Sequence, residues 1–332
     1  MSNRITRRDF LNQSATVGAA AALAATAAVP AAAGEARTPA EPRIAPGTAA
    51  LMPMGSIGKL KMSRILLGGN LVGGWLHSRD LKYVGSLFRA YATEEKILQT
   101  FALAERCGIN TVFETGATLV EKYNRERGGH MQIIPHIEVN KDQTETELKD
   151  QLKMLMDAGA AGLYIWGVSG DTLMMQGDIH RIGRAVELAK LHGIPVGVGS
   201  HSLLVPMACE KEKVPCDFYV KTLHDDNYPS ATPKELRKEF IWITGGKGWY
   251  DNMWCINPEE TIAFMKTVAK PWIAFKVLAA GAFDPKEGFN YAFKNGADFI
   301  AVGMFDFQVR HDCDVTREAF AAHQKRERKW YA

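Results

Sequence analysis

The sequence predicts an α/β chain folded as a (β/α)8, or TIM, barrel. From Leu51 onward, short β-rich runs alternate with amphipathic helical runs. Eight such β runs fall within about 280 residues, the strand number and length of a single barrel of this class. The β runs are short, β-branched or aromatic, and often apolar throughout, as strands buried on both faces are.

The β runs are residues 64–69, 111–115, 132–139, 162–167, 195–200, 217–223, 272–278 and 299–304. Helical patterns lie between them. Residues 93–106 open with Thr-x-Glu, keep a three-four apolar spacing and stop at Gly108; residues 144–157 behave likewise and stop at Gly159. Residues 179–191 stop at Gly193, 258–268 begin on a proline, and 285–294 stop at Gly296. A doubly wound sheet is the alternative, but no GxGxxG follows the first strand. Residues 224–257, after the sixth strand, carry Trp242, Trp249, Tyr250 and Trp254 with several glycines. Loops that follow barrel strands stand on the catalytic face. This aromatic insertion is therefore either a lid or substrate platform, or a surface excursion packed on itself.

The chain has 332 residues, of which 46% are hydrophobic, enough for a substantial core. With 40 Lys+Arg against 37 Asp+Glu, the net charge of +3 and the lack of a basic run exclude an electrostatic hold on nucleic acid. The 5 cysteines cannot all pair, and none shows CxxC spacing, which excludes a zinc ribbon or a thioredoxin motif. Residues 1–33 combine Arg7-Arg8, Phe10-Leu11, an Ala-rich mildly apolar stretch and an Ala-x-Ala-like end. These are the features of a twin-arginine export signal, read by the Tat machinery, which carries folded proteins to the periplasm or beyond. The apolar stretch is too weakly hydrophobic for a stable membrane span. Residues 34–50 read as a flexible linker and 51–332 as the barrel.

The segments Gly58–Gly69, Ala104–Thr115, Leu163–Trp166, Gly197–Ser202 and Ile273–Gly281 occur in an order that resembles aldo/keto reductases. Gly58-Lys-Leu-Lys-Met-Ser-Arg-Ile-Leu-Leu-Gly-Gly69 is similar to the hairpin that leads into its first strand, and Ala104–Thr115 to its first helix and second strand. Leu163-Tyr-Ile-Trp166, Gly197-Val-Gly-Ser-His-Ser202 and Ile273–Gly281 resemble the fourth, fifth and seventh strands. The resemblance implies the same barrel and, in the family, an Asp–Tyr–Lys–His tetrad acting with NADPH. Here the Asp position matches Glu114. No tyrosine stands in 117–120, the lysine position falls in Pro135-His-Ile-Glu138, and the histidine position falls at Trp166 or Gly167. Residues 300–305 lack the family's basic phosphate clamp. Hydride transfer from NADPH is therefore not the expected reaction.

Polar residues late in strands are the remaining candidates: Asn70, Glu114, His136, Glu138, His201, Lys221, His224 and Lys276. His136 and Glu138 share one face of their strand, expected to be the interior, where a charge must be paired or bound. His136, Glu138, His201 and His224 offer three imidazoles and a carboxylate, a set suited to Zn, Mn or Fe; an ion pair inside the barrel is the competing reading. Lys221 and Lys276 lie late in neighbouring strands. Two close ammoniums depress each other's pKa, so Lys221, in a Val-Lys-Thr run resembling the Schiff-base strand of deoxyribose-phosphate-type aldolases, could be a nucleophile; anion binding or pairing with Glu114 and Glu138 is the alternative. His77, His180, His192 and His323 read as surface residues, and Trp166 as pocket wall.

The expectation is an exported barrel enzyme acting on a small polar carbonyl or sugar. Acid/base or metal-assisted isomerisation, epimerisation or elimination leads, through Glu114, His136, Glu138, Lys221 and Lys276. A Schiff-base aldolase and a non-catalytic ligand-binding barrel are the alternatives. If Arg7-Arg8 directs export, the double substitution Arg7→Lys, Arg8→Lys leaves unprocessed precursor in the cytoplasm. Fractionation showing normal export of that variant would refute the signal.

Overall fold

The computed structural model describes residues 51–332; the expected export signal (1–33) and linker (34–50) lie outside the described residues. A hairpin comes first: β1 Met54–Ile57 pairs antiparallel with β2 Leu60–Ser63 across a turn in which Gly58 takes φ +58°. Eight parallel strands then close on themselves: β3 Ile65–Gly68, β4 Thr111–Glu114, β5 Gln132–Ile137, β6 Leu163–Ile165, β7 Val196–Ser200, β8 Phe218–Thr222, β9 Trp272–Phe275 and β10 Phe299–Val302. They neighbour one another in chain order, and β10 pairs with β3 to seal the barrel. Helices lie between the strands, so the fold is the expected (β/α)8 barrel. All eight expected strands are present, several shorter than the apolar runs suggest. Among the described residues no helix is long and apolar enough to cross a membrane.

Alternation sorts the strand residues into two cores. Leu66, Phe113, Ile134, Tyr164, Phe218, Val220, Ile273 and Phe299 fill the barrel interior, and Ile57, Leu60 and Met62 of the hairpin pack against them. Ile65, Val112, Ile133, Val198, Tyr219 and Ile300 face outward and meet the helix layer. The interior is therefore packed solid from the hairpin end, which leaves space only at the C-terminal ends of the strands.

The helices with clear sequence punctuation form as the caps dictate. Thr144 caps Glu145–Asp157 in a reciprocal box with Glu147, Asp178 caps Ile179–Lys190, Asp284 caps Pro285–Lys294, and Pro258 opens Pro258–Thr267. A short helix, Gly167–Met175, follows β6 directly. A Cβ at Gly170 would come within 2.4 Å of the Gly199 carbonyl oxygen, so glycine there lets the helix lie on the backbone of β7. That contact carries Asp171, fully buried, to the end of β7.

The opposite end is held by charge. Asp298, just before β10, is fully buried and accepts from Arg326 Nη2 (3.0 Å), Arg328 Nη1 (2.8 Å) and the backbone N–H groups of Trp272 (2.9 Å) and Tyr331 (2.9 Å). Arg64, just before β3, donates to the Asp298 carbonyl (2.9 Å) and to Ala332 O (2.6 Å). One carboxylate thus pins the C-terminal tail under the barrel. Removing one partner of a buried charge network costs about 3–5 kcal/mol. Asp298→Asn is expected to lose that much in urea unfolding; a loss below about 1 kcal/mol would show that the arginines find other partners.

Candidate functional site

The barrel mouth holds a two-lobed cavity, with volumes of about 260 and 300 Å³, at the lower end of small-molecule sites. Asn70, Trp75, His77, Glu114, Trp254, Phe275 and Lys276 line both lobes. One lobe, over β3, β9 and β10, is largely apolar, with Leu71, Leu76, Val277, Leu278 and Phe305. The other, over β4 to β7, adds Thr115, His136, Glu138, Tyr164, Trp166 and His201.

Glu114 and Lys276 stand at the ends of β4 and β9. Phe113 and Phe275 precede them and face inward, so strict alternation would send both charges outward. Both leave the regular strand conformation: Glu114, the last residue of β4, takes φ +86° and Lys276, just past β9, φ +57°. Left-handed backbone at a non-glycine residue costs on the order of 1–3 kcal/mol and gathers at functional sites. Here it turns both side chains into the mouth. Trp166 Nε1 donates to Glu114 Oε1 at 3.2 Å.

Lys276 Nζ lies 2.6 Å from His77 Nε2. The other ring nitrogen, Nδ1, lies 2.9 and 3.0 Å from the two oxygens of Asp251. A carboxylate only accepts, so Nδ1 carries the proton and Nε2 accepts from Lys276 and, at 3.3 Å, from Asn70 Nδ2. Burial lowers the Lys276 pKa to about 8, against the pull of the Glu114 and Asp251 charges, which favour the ammonium. The amine also sits 3.7 Å from the centroid of the Trp254 ring, a contact that favours the ammonium. Burial outweighs these. It also lowers the His77 pKa, helped by the charge on Lys276 and opposed by Asp251, so His77 is neutral at pH 7.

His201, at the end of β7, places Nδ1 2.7 Å from Asp171 Oδ2. Asp171 also accepts from the backbone N–H of His201 (3.0 Å) and Ser202 (2.9 Å) and from Trp242 Nε1 (3.2 Å). Burial drives the His201 pKa to about 4, so the ring is neutral, with Nδ1–H donated to Asp171 and Nε2 an acceptor. Its ring lies 4.9 Å from Trp254, as does that of His77, so one indole separates the two imidazoles.

The other sequence candidates are placed differently. Lys221 does not reach the mouth. It alternates outward between Val220 and Thr222, fully buried, and donates to Thr222 O (3.1 Å) and Thr222 Oγ1 (2.9 Å), with Cys255 Sγ at 3.9 Å. The two lysines therefore share no pocket, because only the second has the left-handed turn that redirects it. His224 is also withdrawn: Nδ1 donates to Asp225 O (2.8 Å), and Nε2 accepts from the N–H groups of Trp254 (3.0 Å) and Cys255 (2.9 Å). With both nitrogens used it anchors the insertion and cannot ligate a metal.

Glu138 is not interior. β5 ends at Ile137, and the Glu138 side chain is 63% exposed at the rim, 3.6 Å from His136 Nε2. His136 stacks on Trp166 (5.2 Å), its Nδ1 buried and unpartnered. Among the described residues no group of three or more His, Cys, Asp or Glu is placed to hold a metal ion. The set His136, Glu138, His201 and His224 is thus not assembled.

His77 is not the surface residue its loop position suggests, whereas His180 and His192 are exposed. Asp171, Asp251 and Trp254 complete the site. An aspartate inside the apolar Gly167–Met175 pattern was a signal for the first, and the aromatic insertion for Trp254; nothing local marks Asp251. The insertion partly packs on itself, through Tyr228, Ile241, Trp242, Met253 and Ile256, and also lends Trp254 to the mouth and Asp251 to His77 behind it.

A barrel mouth with strained charged strand ends is where enzymes of this fold class collect their chemistry. No family model and no curated protein matches the chain. Among solved structures, a protein assigned as an aldo-keto reductase from Pseudomonas aeruginosa is similar at 13% identity, over 81% of this chain and 94% of that one, with a TM-score of 0.55. A mandelate oxidase (11% identity, 84% and 80% covered, TM-score 0.48) and a spore coat polysaccharide biosynthesis protein from Bacillus subtilis (9%, 84% and 75%, 0.45) are more distant. The first of these establishes the shared fold. Among the described residues no arginine lines either lobe, and Lys276, engaged with His77, is the one lysine there, so the lining offers a dinucleotide's phosphates little counter-charge.

The charge balance at Lys276 is open to measurement. Amine labelling of Lys276 across pH, read by peptide mapping, is expected to have its midpoint near 8. Glu114→Gln removes a charge that favours the ammonium, so the midpoint falls, by about one pH unit. An unchanged or raised midpoint would place Glu114 outside the site's electrostatics.

Proposed function

We propose that this barrel is an exported enzyme that moves a proton next to the carbonyl of a small polar compound, such as a hydroxyaldehyde, hydroxyketone or sugar. The reaction class is isomerisation, epimerisation or elimination. The observation that carries the reading is the Asp251–His77–Lys276 chain ending in a mouth that also holds Glu114 and His201. With a pKa of about 8, most Lys276 is an ammonium at pH 7 and can donate to a carbonyl oxygen, stabilising the charge that develops when the α-proton leaves. Glu114, aimed inward and held by Trp166, is the base that takes that proton. His201 Nε2, an acceptor held in place by Asp171, exchanges a proton with a neighbouring hydroxyl. The indoles of Trp75, Trp166 and Trp254 offer apolar faces on which a sugar-like ring stacks.

The test is exchange of solvent deuterium into the α-position of dihydroxyacetone and glyceraldehyde, followed by NMR. The wild-type protein is expected to catalyse it, and both Lys276→Met and Glu114→Gln to slow it by about 10²-fold or more. NADPH oxidation with the same compounds is expected to stay at background. No exchange above buffer, or NADPH-dependent turnover, would overturn the proposal.

A further inference from the structure

We propose that Lys276 is also a nucleophile, forming a Schiff base with the carbonyl carbon of an aldehyde or ketone bound across the two lobes. The inference deepens the acid/base reading, on which it rests, by making the activation covalent. It also moves the nucleophile from Lys221, where the strand pattern points, to its neighbour in the mouth.

An amine attacks a carbonyl only through its free lone pair, so the ammonium must first lose a proton. The structure provides the acceptor. His77 Nε2 is 2.6 Å from Nζ and unprotonated, because its proton is held on Nδ1 by Asp251 at 2.9 Å. A lysine paired directly to a carboxylate would be held as the ammonium. Lys276 instead meets a neutral imidazole, with the Asp251 carboxylate one residue removed, ready to stabilise the imidazolium once it forms. Burial works in the same direction: at a pKa of about 8, roughly one amine in ten is neutral at pH 7.

Position agrees with this role. The left-handed φ of +57° places Nζ where both lobes meet, so a carbonyl carbon at the amine directs one substituent into the apolar lobe and the other towards His136 and His201. Lys221 has no such access: it is fully buried, lines neither lobe and donates to Thr222.

The step balances as follows. The neutral amine attacks the carbonyl carbon; the C–N bond forms as the carbonyl π bond breaks. The proton on the attacking nitrogen reaches the alkoxide through His77, giving a carbinolamine. His77 gives the proton it took from the Lys276 ammonium to the carbinolamine hydroxyl, which leaves as water while C=N forms, so ammonium plus carbonyl yields iminium plus water, with no change in oxidation state. Glu114 then removes the α-proton from the iminium, which is more acidic than the parent carbonyl.

The experiment is borohydride trapping of the wild-type protein with dihydroxyacetone and, separately, benzaldehyde, followed by peptide mass mapping, with α-deuterium exchange measured in parallel. The expected result is a reduced secondary amine on Lys276, absent from Lys276→Arg, with yield rising about tenfold from pH 6 to pH 7 as the neutral amine fraction grows. Exchange without an adduct on Lys276, or an adduct only on other lysines, would overturn the covalent step and leave the acid/base reading standing. Loss of both exchange and adduct would overturn the two together.

Discussion

In a closed parallel barrel each strand residue points either into the interior or into the helix layer, and the site of this protein depends on two departures from that rule. Glu114 and Lys276 follow inward-facing phenylalanines, so continued strands would carry both charges away from the mouth. Left-handed backbone at each ends its strand and turns the side chain inward. The strain is held by what surrounds it: Trp166 fixes the Glu114 carboxylate, and His77 and Trp254 fix the Lys276 amine. A relaxed backbone at either position would keep the barrel and lose the juxtaposition of charges.

The insertion after β8 organises the mouth as much as it covers it. His224 ties its returning end to the barrel by accepting from Trp254 and Cys255, and this fixes Trp254 between the imidazoles of His77 and His201. Asp251 holds His77, and Trp242 reaches the carboxylate of Asp171. Asp171 thereby joins three separate elements: its own helix, the end of β7 and the insertion. Its approach depends on the bare backbone contact between Gly170 and Gly199.

Charge is used differently at the two ends of the barrel. At the hairpin end, Asp298 is saturated by Arg326, Arg328 and backbone donors, and the network serves cohesion. At the mouth the ionisable groups are held short of saturation. Lys276 faces a neutral imidazole, and His201 keeps Nε2 unspent. Groups left this way can exchange protons with a ligand, whereas those under the barrel cannot without cost to stability.

The sequence by itself determined the barrel. Apolar strand runs, capping residues at Thr144, Asp178 and Asp284, and glycine stops are local signals, and short-range steric and hydrogen-bonding preferences write them directly into the chain. It also marked Glu114, His136, His201 and Lys276 as mouth residues, because position late in a strand is a property of sequence order. Direction was not legible. Lys221 and Lys276 look equivalent as late-strand lysines, and only the backbone angle at Lys276 separates a buried structural amine from one facing a cavity. Likewise Glu138 falls outside because β5 stops one residue earlier, and His224 is consumed by backbone donors 30 residues away. His77 and Asp251, 174 residues apart, meet only because the loop after β3 and the insertion after β8 fold over the same mouth. Pairings of that kind depend on closure of the whole sheet, which no local pattern encodes, so only the tertiary structure decided them.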